Sequence, residues 1–146
     1  MSTSYDPFKG AERWRAPAMF IARAGLCLAF LYSGVAKLFD FPSAIAEQLH
    51  FGLQPPALFA VATIATQLGG SALVLFTRGW SAVLGALGLA GFTLLATLIG
   101  HPFWNETGAD HFRDLNSFLE HFGLIGGFLL IAVENLSRPS HPRSIP

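Results

Sequence analysis

Along this chain apolar residues gather into four long runs, at about residues 17–38, 57–77, 80–100 and 115–136, with prolines, glycines and charges collected between them. Each run holds about 20 residues or more, enough for an α-helix rising about 1.5 Å per residue to cross a hydrocarbon layer about 30 Å thick. In lipid the backbone must satisfy its own hydrogen bonds, so the pattern predicts an all-α, integral-membrane bundle of four transmembrane helices. Local signals set the ends. The second run follows Pro55-Pro56 and stops at Arg78-Gly79, the third stops at His101-Pro102, and the fourth ends before the Pro-rich SRPSHPRSIP. A link as short as Arg78-Gly79 makes the second and third helices antiparallel neighbours. Residues 17–136 therefore read as one domain between an N-terminal segment, 1–16, and a surface-lying tail, 137–146. The segment 1–16 and the run after it resemble a signal peptide superficially, but the run is longer than an apolar core of about 7–15 residues and no small-residue cleavage pattern follows.

Two longer connections remain. In FDFPSAIAEQLHFGLQPP, Asp40 stands at a helix start, Pro42 in the first turn, and Ile45, Leu49 and Leu53 recur every fourth residue before and beyond Gly52. That spacing predicts a short amphipathic helix lying at the interface. The other connection, HPFWNETGADHFRD, is aromatic and acidic, with Phe103, Trp104 and Phe112 as interfacial anchors.

Composition narrows the class further. The chain has 146 residues, 52% hydrophobic and 12% charged, against about 25% charged in soluble domains, so no separate soluble domain fits beside the four runs. Net charge is zero and no basic run occurs, which excludes nucleic acid as a partner and leaves the lipid bilayer. Lys9, Arg13, Arg15, Arg78, Arg138 and Arg143 fall on the side of the two chain ends, whereas Lys37 and Arg113 lie near the other face. This bias predicts both ends in the cytoplasm, with Trp14 at headgroup level. The single cysteine, Cys27, sits inside an apolar run. It can form neither an internal disulfide nor a dithiol exchange site, and reads as a small buried filler.

Lipid-embedded helices approach one another through small residues and a few polar contacts. Gly69-Gly70-Ser71, then Gly85, Gly88 and Gly91, then Gly123 and Gly127 beside Gly126 mark such seams, either inside the bundle or, on the last helix, as a homodimer face. Ionisable side chains at these depths cost about 2.5–3.5 kcal/mol on insertion scales, so each needs a partner or a role. Arg23 and Glu134 differ in depth by about 6 Å, which two long side chains can span. Arg23 thus reads as one half of a structural ion pair with Glu134, as a snorkelling cation, or as a holder of an anionic head group or a quinone oxygen. Gln67, deep in the second run, reads as an interhelical hydrogen bonder. Towards the far face lie Lys37, Glu47, His50, His101, Glu120 and His121. With the connections folded over them, Arg23, Lys37, Gln67, His101, Glu120 and His121 form the candidate polar pocket. The spacings of His101, His111 and His121 match neither a tight metal site nor a haem pair on facing helices, and fit interfacial histidines or contributors to a proton-exchanging pocket better.

The stretch RAGLCLAFLYSGVAKLFDF, from Arg23 to Phe41, resembles the opening signature of the DoxX family of small bacterial membrane proteins, with its arginine, phenylalanine, Ser-Gly pair and lysine. QLGGSALVLFTRGWSAVLGAL, HPFW and FGLIGGFLLIA resemble that family's later segments, so the similarity spans about residues 17–136. It implies a four-helix protein of the bacterial inner membrane and a redox setting, since the family takes its name from a subunit of a thiosulfate:quinone oxidoreductase. One position departs from the pattern. Gln67 stands where the resemblance implies a glutamate in many members, so a proton relay through that position does not carry over. The chain shows no phosphate loop, dinucleotide fingerprint or cysteine cluster, so its catalytic and cofactor-binding residues are unassigned and any electron carrier is a quinone or belongs to a partner. The leading expectation is a membrane subunit or partner of a quinone-linked redox complex. The alternatives are a non-catalytic scaffold or assembly factor and a small-solute carrier, the last lacking the paired helix breaks of many transporters.

Overall fold

The computed structural model describes Gly10 and residues 12–137, and every regular element among them is helical. Lys9, Arg138, Arg143 and the Pro-rich tail lie outside the described residues. The elements are α1 (Glu12–Phe39), α2 (Phe41–His50), α3 (Pro56–Phe76), α4 (Trp80–Gly100), a 3-10 turn (Phe103–Asn105) and α5 (Gly108–Leu136). Of these, α1, α3, α4 and α5 are long and apolar enough to cross a membrane.

Each boundary follows from local chemistry. Asp40 accepts from the Ser43 amide at 3.2 Å and from the Ser43 hydroxyl at 2.7 Å, capping α2 behind Pro42. Gly52, at φ +71°, turns the chain out of that helix. Pro56 opens α3, where its missing N–H costs nothing. Gly79, at φ +62°, makes the reversal into α4, and its amide donates to Asn135 Oδ1 at 3.2 Å, so the end of α5 holds the α3–α4 turn. Two helices outrun their apolar stretches. α1 starts at Glu12, with Pro17 inside it, and α5 starts at Gly108, so the second half of the acidic connection belongs to α5. That extension is polar, with Arg113 Nη1 donating to Asp110 Oδ1 at 2.6 Å, and hydropathy alone does not register it.

The spanning helices form a ring: α1 packs on α3, α3 on α4 and α4 on α5, with α5 meeting α1 more sparsely, while α2 lies across α3 and α1. Cys27, Phe30, Val74, Val83, Ala86, Leu89, Phe128 and Ile131 fill the centre, where Phe30 stands edge-on to Phe128 at 5.4 Å and to Phe92 at 6.3 Å. Glycines allow the close approaches. A Cβ on Gly85 would meet Leu73 Cβ at 2.6 Å and the Gly70 carbonyl at 2.8 Å, one on Gly34 would meet Leu68 at 2.8 Å, and one on Gly127 would meet Leu26 at 2.8 Å. Gly69, Gly88, Gly91, Gly123 and Gly126 have nothing within 4 Å of that position. Only part of the glycine pattern therefore serves packing within the chain.

Gly85→Ala is expected to destabilise the detergent-solubilised protein by about 1–3 kcal/mol, because the colliding atoms include backbone. Gly88→Ala is expected to be neutral or slightly stabilising. Melting temperatures of the two variants check this, and equal losses would contradict it. The Ser43 hydroxyl, then its amide, hold the Asp40 carboxyl below its ordinary value of 3.8. A lowered folded value means the cap contributes fully above the unfolded pKa and is lost as pH falls through the folded one. The start of α2 should thus stay ordered at neutral pH and fray only in acid below about pH 4. The Ser43 amide resonance in an NMR titration reports it.

Candidate functional site

Five helices converge on a cavity of about 780 Å³ in the half of the bundle that α2 covers. Its apolar walls include Phe30 and Phe92 from the core, Phe51 and Leu53 from the α2 end, and Leu124 from α5. Set into these walls is a chain of polar groups. Glu47 Oε2 lies 2.8 Å from Lys37 Nζ, Lys37 donates to Ser33 Oγ at 3.1 Å, and Gln67 Nε2 donates to the same oxygen at 3.2 Å. Ser33 and Lys37 share a face of α1 because they are four residues apart. The string runs from the interfacial helix to the middle of the bundle and ends on an unsatisfied atom. Gln67 is 5% exposed, and its Oε1 is buried without a hydrogen-bond partner. Such an atom costs about 1–3 kcal/mol in a protein interior unless something donates to it.

A second polar group enters the cavity from α4 and α5. The Thr97 hydroxyl lies 2.7 Å from the Thr93 carbonyl and 2.7 Å from His121 Nδ1. Its one proton serves one of these two acceptors, so the tautomer of His121 decides which way that contact runs. The His101 ring lies 5.1 Å from that of His121 at a tilt of 52°, and its Nδ1 lies 3.7 Å from buried Asp114 Oδ1, beyond hydrogen-bond reach. Among the described residues, no three His, Cys, Asp or Glu side chains gather as a metal-holding group.

The residues singled out in the sequence are thus divided. Lys37, Gln67, His101 and His121 line this one cavity. Glu120 does not: it is exposed and accepts from Asn116 Nδ2 at 2.7 Å. Arg23 lies at the other end of the bundle, where its Nη2 is 3.0 Å from Glu134 Oε2 and its Nη1 donates to the Val74 carbonyl at 3.2 Å. His50 is not among the residues lining the cavity and stands edge-on to Phe51 at 5.2 Å. Thr97 and Asp114 escaped the sequence reading, and Ser33 entered it only within the Ser-Gly pair of the family signature. Ser33 carries a signal in retrospect, one helical turn before a membrane-embedded lysine, whereas Asp114 gains its meaning only from the packing of α5.

Comparison with known proteins agrees with this architecture. A family model described as DoxX matches residues 18–102. The chain belongs to the DoxX family. Inner membrane protein YphA of Escherichia coli (strain K12) is 25% identical over 122 residues, covering 82% of this chain and 84% of that protein. No solved structure matches it. This DoxX protein is accordingly a multi-pass protein of the inner membrane. The matched region contains most of α1 and all of α2 to α4, hence Ser33, Lys37, Glu47, Gln67 and His101, while His121 and Asp114 lie beyond it.

Lys37 and Glu47 join α2 to α1. Because Glu47 is 42% exposed on its side chain, solvent screening limits their coupling to about 0.5–1 kcal/mol. Lys37→Met should raise amide exchange across residues 41–50, with Glu47→Gln adding little on top. Additive effects in the double-mutant cycle would show that the pair does not hold α2.

Proposed function

We propose that this DoxX protein is the membrane subunit of a redox complex, and that the cavity beneath α2 takes the head group of a quinone. The observation that carries the reading is an unpartnered, buried Gln67 carbonyl oxygen in the same apolar cavity as the Lys37 ammonium and two imidazoles. Apolar walls with a few convergent polar groups are the general form of a small-molecule site. The residues suit the two faces of such a ligand. Lys37 has three N–H donors, of which Ser33 and Glu47 engage two, and the third can donate to a ring carbonyl. Gln67 Oε1 can accept from a ring hydroxyl, and the His121 imidazole can accept or donate according to its tautomer. A bound quinone supplies two-electron, two-proton chemistry at neutral pH.

The chain's own residues bind, orient and exchange protons. Lys37, joined to half-exposed Glu47, reaches towards the interface where water is present, so protons have a short route between Glu47 and the cavity. Gln67 does not titrate and serves as a fixed acceptor. Because the single cysteine offers no dithiol, the reading assigns electron supply to a partner subunit. Both chain ends are taken to face the cytoplasm, following the distribution of basic residues.

Native mass spectrometry of the tagged protein, gently extracted from its own membranes, tests this by reading partners and bound small molecules together. The expected result is a retained quinone and a stoichiometric redox subunit, with quinone retention falling about tenfold in Gln67→Leu while the oligomer is unchanged. A bare monomer or homodimer carrying only lipid would overturn the reading in favour of a non-catalytic scaffold.

A further inference from the structure

At the opposite end of the bundle, where α1 begins and α3 ends, lies a second cavity of about 670 Å³. Arg15, Arg23 and Arg78 line it, together with Glu12, Phe20 and Phe76. Arg23 is 7% exposed, and although Val74 and Glu134 engage its two terminal nitrogens, its Nε is buried without a partner. Arg15 and Arg78 are exposed, and Arg15 Nη2 lies 3.9 Å from Glu134 Oε1. Glu134 is thus shared between two arginines. Among the described residues the cavity therefore gathers more guanidinium donors than carboxylates engage, and planar forked donors match phosphate oxygens.

Depth and surroundings narrow the ligand. Trp14 and Trp80, both exposed, lie on α1 and at the start of α4 beside this end, as indoles do at headgroup level. Phe20 and Phe76 are 50% and 77% exposed, so apolar surface continues from the cavity along α1 and α3, where acyl chains would lie. The geometry points to a phosphate-binding site formed by Arg15, Arg23 and Arg78, filled by the phosphate of an anionic phospholipid or by free phosphate. Basic pockets between transmembrane helices are suited to such head groups. The site is separate from the cavity beneath α2 and does not depend on it.

The test uses the full chain in neutral detergent and the double variant Arg15→Gln/Arg78→Gln, which leaves the Arg23–Glu134 pair in place. Native mass spectra are read against chain-matched phosphatidylglycerol and phosphatidylcholine, and melting curves against added sodium phosphate. A lipid site predicts about tenfold preference for phosphatidylglycerol in the parent protein, lost in the variant. Stabilisation by millimolar phosphate in the parent but not the variant, without lipid preference, assigns the same site to free phosphate. Equal retention of the two lipids with no phosphate response overturns the inference. So does a preference that the double variant keeps. Arg78→Lys, which keeps charge but not the fork, should retain part of the preference and thereby separates phosphate recognition from a general electrostatic effect.

Discussion

A ring of four helices joined in sequence has one seam that no connection enforces, between the first helix and the last. Short turns and α2 bring the other neighbours together, but α1 and α5 are separated by the rest of the chain and must recognise each other through side chains. Three contacts do this along the antiparallel pair: Arg23 to Glu134 at 3.0 Å, Leu26 lying over Gly127, and Phe30 edge-on to Phe128. Apolar packing alone gives little directionality in lipid, because acyl chains are as apolar as leucine. The ion pair supplies it. Breaking one partner away would leave a charge in a medium that solvates it poorly, so the register of α1 against α5 is fixed at a point near the membrane surface. With that seam closed, Ser33 and Lys37 further along α1 are held opposite Gln67, and the larger cavity acquires its polar wall.

Much of this was legible from residue order. Four apolar runs, the breakers Pro55-Pro56 and Gly79, and the Asp40–Gly52 segment specify helices, reversals and the interfacial helix because lipid permits so few backbone solutions. What stayed hidden depends on helix rotation and on which helices meet. Hydropathy places Lys37, Gln67, His101 and Glu120 at related depths but is blind to azimuth, so it does not separate Glu120, which faces outward to Asn116, from His121 one residue later, which faces Thr97. A single step along a helix turns a side chain by about 100°. Similarly, Gly123 and Gly127 look equivalent in sequence, yet only Gly127 receives a neighbouring side chain. The early starts of α1 and α5 were missed for another reason: both extensions are polar and leave the hydrocarbon layer, where apolar periodicity carries no signal.

The two cavities reflect one physical asymmetry. At the end bearing α2, the polar groups are a lysine, a glutamate, an amide and imidazoles, which can accept, donate and exchange protons. At the other end they are mainly arginines, which hold charge permanently and do not exchange it. Groups able to change their protonation thus lie at one depth of the bundle, and mainly fixed positive charge lies at another.

The Arg23–Glu134 pair also imposes an order in time. Its two members are 111 residues apart, and at synthesis rates of about 5–20 residues per second the arginine precedes its carboxylate by roughly 5–20 s. During that interval α1 must remain in the membrane with its cation unpaired. It can do so because Arg23 stands about six residues into the apolar run that begins near residue 17, within reach of the head groups for a side chain of that length. An arginine at the midpoint of that apolar run would lack that refuge, so the location of this residue is set as much by the unfinished chain as by the finished bundle.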